Sequence, residues 1–308
     1  MSLPWRARRA GLAIMVLLPA SGLGLPAQAE ELPLPGPSIE GPVYKIGDPA
    51  APAGAVEKPL WEIGLGLAGV HFPDYRGSDQ SNFYLLPLPY IAYRGKLLRA
   101  DSDGARAILF AGKRVTVDIS VSASVPTRSQ HNDARQGMPD LAGTFEIGPN
   151  LNVELWQSAD RRVKFEFRMP LRQAITLQTH PKSAGLTLSP NINADVRDFI
   201  GGFKLGALIG PLFGNQRQHQ YFYGVAPEFA TPERPAYDAP GGYSGWRAIA
   251  ALSRRYGNLY VGGFVRHDDL RGASYAASPL VRSDRAFTAG FGMSWIFAAS
   301  NERVVADD

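Results

Sequence analysis

The sequence predicts an all-β fold, an antiparallel transmembrane β-barrel of about twelve strands. Its first residues have the composition of a cleaved export signal. No later apolar run reaches the roughly 20 residues that a membrane-spanning helix needs, whereas apolar and polar residues alternate from Leu60 onward. An exported chain without a helical anchor can still reside in a membrane as a closed barrel, because closure gives every backbone N–H and C=O a partner.

Residues 1–29 are predicted to be a signal peptide. Arg6, Arg8 and Arg9 precede the apolar stretch 11–18, and small residues lead to Ala29, after which cleavage is expected. A buried N-terminal helix is the alternative. Removing these residues lowers the formal net charge from +4 to 4 − 3 = +1, since no acidic residue precedes Glu30. A nearly neutral chain gives no reason to expect nucleic-acid binding.

Residues 30–59 are predicted to be a proline-rich leader on the periplasmic side of the barrel. Seven prolines interrupt the segment, and it shows no sustained hydrophobic period. Such a composition favours an extended or disordered chain, although an arm packed loosely against the barrel mouth is the alternative. The absence of cysteine excludes disulfides, thiolate metal sites and a cysteine nucleophile, and also the acylated cysteine of a lipoprotein.

The alternating segments predict the strands of a barrel that occupies residues 60–297. In 115–125, every odd position is apolar and the even positions are polar, including Asp118. The same period of two recurs in 145–155, 163–171, 186–196 and 287–297. The predicted strands lie near 61–70, 83–94, 105–111, 114–126, 143–157, 161–177, 184–198, 202–213, 219–229, 243–256, 258–268 and 284–297. Residues 298–308 are expected to form a polar tail.

Two features favour lipid rather than a protein core as the partner of the apolar face. Charged residues of both signs occupy the polar face in mid-strand, among them Lys164, Glu166 and Arg168. Aromatic residues gather at segment ends, as in the belts of membrane proteins; they are Trp61, Phe72, Tyr75, Tyr90, Tyr93, Trp156, Tyr243, Trp246, Tyr256 and Trp295. A soluble sandwich or a lipocalin-like barrel, with the apolar face turned inward, is the alternative.

Several short motifs resemble, in order and spacing, the MipA/OmpV family of outer-membrane proteins. The first group is Gly64-Leu65-Gly66, Pro73-Asp74-Tyr75-Arg76-Gly77-Ser78-Asp79 and Leu86-Pro87-Leu88-Pro89-Tyr90-Ile91-Ala92-Tyr93-Arg94-Gly95. The second group is Gly148-Pro149, Tyr221-Phe222-Tyr223-Gly224-Val225, Tyr237-Asp238-Ala239-Pro240-Gly241-Gly242 and Ser278-Pro279-Leu280-Val281. The resemblance extends from about Trp61 to Phe297, so the leader and the tail inherit no function from it.

The resemblance implies an outer-membrane barrel first and a scaffold role second. The family is named for a protein that interacts with MltA, and the partners it implies are a lytic transglycosylase and a murein synthase. Other members are described as porin-like, adhesive or stress-responsive. We therefore expect a non-enzymatic barrel in contact with outer-membrane lipid and lipopolysaccharide, with a scaffold or envelope-structure role linked to murein machinery. A small pore for solutes is the alternative from a different class.

No catalytic, cofactor-binding or metal-binding residues are predicted. The five histidines, which are His71, His131, His180, His219 and His267, lack the spacing of metal ligands. An outer-membrane hydrolase is the third hypothesis. It would use His267 beside Asp268 and Asp269, or His71 near Asp74, Ser78 and Asp79. Both clusters have the composition of a strand end or a turn, which favours a structural interpretation.

Overall fold

The computed structural model describes residues 43–44, 56–95, 98–101, 104–124 and 126–306. The predicted signal peptide and most of the leader lie outside these residues. The strands are β1 Val43–Tyr44, β2 Val56–Pro59, β3 Trp61–Pro73, β4 Ser81–Arg94, β5 Leu98–Asp101, β6 Gly104–Ala111, β7 Val115–Ala123, β8 Thr144–Gln157, β9 Val163–Thr176, β10 Ser183–Leu188, β11 Asn191–Val196, β12 Lys204–Gly214, β13 Gly242–Tyr256, β14 Leu259–Asp269, β15 Arg285–Ala299 and β16 Arg303–Ala306. One helix, α1 Gln216–Tyr223, is accompanied by 3-10 turns at Ser129–His131, Asp133–Arg135 and Pro227–Phe229.

Antiparallel pairing joins strands β3 to β15 into a ring. Apart from β10 and β11, each strand pairs with the next along the chain, and β15 returns to pair with β3. Strands β10 and β11 share the same neighbours, β9 and β12, and therefore count as one wall strand interrupted at Ser189 and Pro190. The 13 strands of the sheet thus give 13 − 1 = 12 wall strands. The predicted antiparallel barrel of about twelve strands is confirmed.

The wall is apolar outside and polar inside. Leu67 and Phe83 point outward and are 55% and 67% exposed, whereas inward Asp118 and Arg266 are each 1% exposed. A protein in water shows the opposite arrangement, because apolar side chains are driven away from solvent. The alternation therefore turns its apolar face towards lipid, as the mid-strand charges predict.

Within the wall, one predicted strand is wrong and one observed strand was not predicted. The segment 219–229 contains the end of α1 and a 3-10 turn rather than a strand. The Asn215 side chain accepts a hydrogen bond from the Gln218 amide and so begins the helix, and Gly224 ends it. Strand β5 has only four residues, too few for an alternating pattern to show. The two differences cancel, which is why the predicted count agrees with the observed one.

The two ends of the barrel differ in their connections. The loop end carries the longer connections, 74–80, 124–143, 177–182, 215–241 and 270–284. The turn end carries the short turns 112–114, 158–162, 197–203 and 257–258. The short strands β1, β2 and β16 also lie at the turn end, where they form a small sheet in the order β1–β16–β2. Part of the predicted leader and part of the predicted tail are therefore strands, and β15 continues to Ala299 rather than ending at Phe297.

The outward-facing side chains of β15 predict how strongly a substitution by a charged residue destabilises the barrel at different depths. Phe291 is 58% exposed at the centre of the strand, and Phe287 is 56% exposed near its loop end. An arginine at mid-membrane destabilises a barrel by about 2–4 kcal/mol, and one near the interface by about 0–1 kcal/mol. We expect Phe291→Arg to lower the free energy of unfolding in lipid vesicles by the larger amount and Phe287→Arg by the smaller. Equal losses for the two variants would contradict a lipid-facing strand.

Candidate functional site

Two ion-pair clusters lie on the lumenal side of β3, β4, β13 and β14. Near the turn end, buried Glu62 contacts Arg94 at 3.0 Å and Arg255 at 2.7 Å. Near the loop end, fully buried Asp268 contacts the Nε atoms of three arginines, at 2.8 Å for Arg76, 3.1 Å for Arg247 and 2.5 Å for Arg266. Each cluster contains more cations than anions, so this side of the lumen is positive.

The opposite side of the lumen, formed by β7, β8, β9 and β11, carries charges of both signs. Asp118 accepts hydrogen bonds from Asn150 and Asn152, at 3.3 and 2.8 Å. Glu166 contacts Lys164 at 2.5 Å and Arg168 at 2.9 Å. The mid-strand charges that the sequence places on one face therefore neutralise one another inside the barrel. Pairing of this kind stabilises charges that would be costly to bury alone.

The loop end is closed over by four connections, 74–80, 124–143, 215–241 and 270–284, which together form the cap. Tyr75, Tyr223 and Tyr275 are buried at its centre, and the rings of Tyr223 and Tyr275 stack with centroids 3.7 Å apart. Their hydroxyls donate to backbone carbonyls of other segments, as in the 2.7 Å bond from Tyr75 to Leu280. Burial raises the pKa of Tyr75 and of Tyr223, so both rings remain neutral donors.

Asp74 joins the first two connections of the cap. Its carboxylate accepts hydrogen bonds from the side-chain amides of Asn82 and Asn132, each at 2.8 Å, and the Asn132 amide also donates to Ser78 at 3.0 Å. The Thr127 hydroxyl donates to the Asp74 carbonyl at 2.9 Å. The motif 73–79 is interpreted from the sequence as a turn. In the structure it is bound to the connection 124–143, more than fifty residues later in the chain.

The structure brings together one serine and histidine pair that sequence reasoning missed. The Ser244 hydroxyl donates to His219 Nε2 at 2.6 Å, and His219 Nδ1 donates to the Pro240 carbonyl at 2.6 Å. Burial lowers the pKa of His219, so the ring is neutral near neutral pH. A nucleophile needs contact with its substrate, but both side chains are buried and the Tyr275 ring lies 4.6 Å from the imidazole. The pair therefore joins α1 to β13 and offers no accessible nucleophile.

The residues of the hydrolase hypothesis are separated. His267 points outward from β14, whereas the next residue, Asp268, is buried on the lumenal side. His71 is exposed and its Nε2 lies 3.1 Å from the Ser81 hydroxyl, while Asp74 and Ser78 are both held by Asn132 in the cap. Alternation along the strand places His267 and Asp268 on opposite faces. Asp269 shares the outward face with His267, but its carboxylate accepts hydrogen bonds from Arg271, at 3.0 and 2.9 Å.

The described residues contain no group of three or more histidine or acidic side chains that is placed to hold a metal ion. Within the same residues, no helix is long and apolar enough to cross a membrane.

A ring of antiparallel strands with an apolar exterior, a charged lumen and a cap at one end defines an outer-membrane β-barrel protein. The chain belongs to the MipA family, whose model is described as MltA-interacting protein MipA and matches residues 65–297. This membership confirms the resemblance found in the sequence motifs.

The chain is also similar to solved outer-membrane structures at low identity. A NanC porin is 8% identical with a TM-score of 0.36, and the match covers 75% of this chain and 98% of the porin. A bacterial polysaccharide outer membrane secretin is 8% identical with a TM-score of 0.39, covering 77% and 99%. Outer membrane phospholipase A from Escherichia coli is 10% identical with a TM-score of 0.33, covering 75% and 92%. No curated protein sequence matches the chain.

The buried His219 predicts that the cap weakens in acid. Its pKa in the folded protein is lower than the ordinary value of about 6.5, so the unfolded chain takes up a proton first as the pH falls. Stability is then complete above about pH 6.5 and is lost below it. We expect urea unfolding in detergent micelles to require less urea at about pH 5 than at about pH 7, with a smaller difference in His219→Asn.

His180→Asn is the matched control, because His180 is exposed in the connection 177–182. It should show the pH dependence of the unsubstituted protein. An unchanged pH dependence in His219→Asn would show that this histidine does not control the acid response.

Proposed function

We propose that the protein is a non-enzymatic outer-membrane scaffold or envelope-structure protein linked to murein machinery. The observation that carries the proposal is the family match over residues 65–297, because the family is described by its interaction with MltA. The proposed partners are a lytic transglycosylase and a murein synthase, with outer-membrane lipid and lipopolysaccharide around the wall.

The turn end supplies a suitable surface for such a partner. The β1–β16–β2 sheet continues directly from the barrel, since the Leu60 amide donates to the Glu302 carbonyl and the Ser300 amide to the Trp61 carbonyl. Strands β1 and β2 are the edges of this small sheet, and an edge strand can pair with a segment of another protein. If residues 1–29 direct export and are cleaved near Ala29, this end faces the periplasm, where murein lies.

The turns of this end are predominantly basic. Among the described residues, the turns 112–114, 158–162 and 197–203 and the connection 300–302 carry five cations, Lys113, Arg114, Arg161, Arg162 and Arg197, and three anions, Asp160, Asp198 and Glu302. Arg162 pairs with Asp198 at 2.6 Å. The excess of cations over anions at this end favours association with an acidic partner surface or with the carboxylates of murein peptides.

The non-enzymatic part of the proposal rests on the described geometry. The Ser244–His219 pair is buried beneath Tyr275. His267 points away from Asp268, and the Asp269 carboxylate is bound by Arg271. The Asp74 carboxylate is bound by Asn82 and Asn132. An outer-membrane hydrolase acting through His71 or His267 therefore has no support from these contacts. Replacing either histidine by alanine should leave any hydrolysis of lipid or peptide substrates unchanged.

The scaffold proposal is tested by crosslinking in outer membranes followed by recovery of the protein and identification of its partners. We expect a lytic transglycosylase or a murein synthase in the recovered fraction. The double variant Lys113→Glu/Arg114→Glu reverses two exposed charges of one turn, and should reduce that recovery about tenfold because charge complementarity is lost.

The control places the same charge change at the other end of the barrel. Lys182→Glu/Arg217→Glu alters two exposed residues of the loop end and should leave recovery unchanged. Recovery of abundant porins and lipopolysaccharide alone would contradict the scaffold proposal, as would an equal loss in both double variants.

A small pore is the second candidate, and the charged lumen favours it. Charged side chains of both signs line the interior, as in passages for polar solutes. The cap opposes it, because its four connections are held together over the loop end by buried tyrosines and by Asp74. Stable unitary conductance in planar bilayers would support the pore, and silence would support the capped barrel.

A further inference from the structure

The barrel wall has one place where strand pairing stops short. Strand β4 pairs with β3 from Ser81 to Tyr93, but with β5 only at Tyr93 and Arg94. Among the described residues, the stretch 81–92 has no strand partner on its other edge. Twelve residues of strand extend roughly 40 Å. This edge is therefore long enough to cross most of a hydrocarbon layer about 30 Å thick.

Two prolines lie at the centre of this edge. The Arg94 amide donates to the Leu60 carbonyl at 2.8 Å, so even-numbered residues of β4 direct their backbone groups towards β3. Odd-numbered residues direct theirs towards the open side, and among them are Pro87 and Pro89. Proline has no N–H to donate, so another strand cannot pair along this edge.

Other segments define the remaining borders of an opening, which we call the window. The short β5–β6 hairpin lies below it, and β7 pairs with β6 only as far as Ser120. Above it, the connections 74–80 and 124–143 are joined by the bond from Asn132 to Asp74 and by one from the Asp133 amide to the Gln80 side chain at 2.7 Å. Backbone that is unpaired at membrane depth is tolerated where it lines a water-filled cavity, as the polar lumen permits.

The lumenal face beside the window is apolar, unlike the rest of the interior. Strand β4 turns Tyr84, Leu86 and Leu88 inward, and Leu88 and Tyr84 pack with Ala68, Val70, Phe72, Ala251 and Phe264. The rings of Phe72 and Tyr84 are 5.0 Å apart. Outside, Phe83 and Leu85 are 67% and 63% exposed. An apolar surface therefore continues around the β4 edge from the membrane into the lumen.

A cation lies at the base of the window, near its β7 border. The Arg172 side chain crosses from β9 to β7, where its Nε donates to the Ser120 hydroxyl at 3.0 Å. Among the described residues no carboxylate lies within ion-pair distance of it, in contrast with the paired cations elsewhere in the lumen. An arginine in this position can bind a carboxylate head group through charge-assisted hydrogen bonds.

We propose that the window admits a single-chain anionic amphiphile, a fatty acid, from the outer membrane into the lumen. The acyl chain lies along Tyr84, Leu86 and Leu88, and the carboxylate binds Arg172 beside Ser120. The distance between the two borders is about three inter-strand spacings, roughly 14 Å, which an extended acyl chain can span. This site is independent of the proposed scaffold role, since it lies in the wall and not at the turn end.

A photoactivatable fatty acid tests the site in the mature protein reconstituted in lipid vesicles. After illumination and proteolysis, labels are expected on the inward residues Tyr84, Leu86 and Leu88. Labels confined to the outward residues Phe83 and Leu85 would show only surrounding lipid and would overturn the proposal. Labelling of the inward residues only after residues 30–55 have been deleted would show that the chain itself occupies the window, and would also overturn it.

Two charge variants separate head-group recognition from general binding. Arg172→Gln should weaken oleate binding about tenfold or more, because hydrogen bonds to a charged group are lost, while leaving the binding of neutral oleyl alcohol unchanged. Lys164→Gln removes a lumenal cation of the same strand that is already paired with Glu166, and should change neither. Equal oleate affinity in Arg172→Gln and the unsubstituted protein would contradict the assigned carboxylate site.

Discussion

The structure depends on one constraint, which is that backbone N–H and C=O groups in a hydrocarbon layer must find partners within the protein. The ring of twelve wall strands, joined by the pairing of β15 with β3, satisfies it for most of the wall, the outer edge of residues 81–92 being the exception among the described residues. Closure then determines the side-chain pattern. Outward residues face lipid and are apolar, while inward residues face one another across a narrow lumen and can be charged. Alternation along each strand is the local consequence of this global condition.

The buried charges of the lumen are paired in clusters that contain unequal numbers of cations and anions. Asp268 is surrounded by three arginines and Glu62 by two, and on the facing wall Glu166 lies between Lys164 and Arg168. Buried ion pairs contribute little net stability, but removing one partner is strongly destabilising because the other charge remains buried. The Asp268 and Glu62 clusters therefore hold particular strands in register, and the loss of either carboxylate leaves several buried cations without a counter-charge. The cap adds a second rigid element through hydrogen bonds between connections.

Much of the wall can be predicted from the sequence, and little of the cap can. The period of two identifies a strand and its two faces from local residues alone, as for the inward Lys164, Glu166 and Arg168. The cap depends on contacts between distant positions, such as Tyr75 with Leu280, and no local period signals them. The His219–Ser244 pair was missed for the same reason. The motifs around Tyr75, Tyr223 and Leu280 indicated the family. They did not indicate that these three residues lie together in one buried cluster.

The window follows from the same constraint that closes the rest of the wall. A gap in strand pairing is unfavourable in lipid, so a sequence selected only for closure would supply an edge that can pair. Strand β4 instead carries Pro87 and Pro89 where two of its donors would face the gap, which reduces the number of unsatisfied groups and prevents pairing. It also turns apolar side chains into a lumen that is charged elsewhere. Both features fit an edge that remains open to the membrane, and neither follows from the scaffold role, which requires only the turn end.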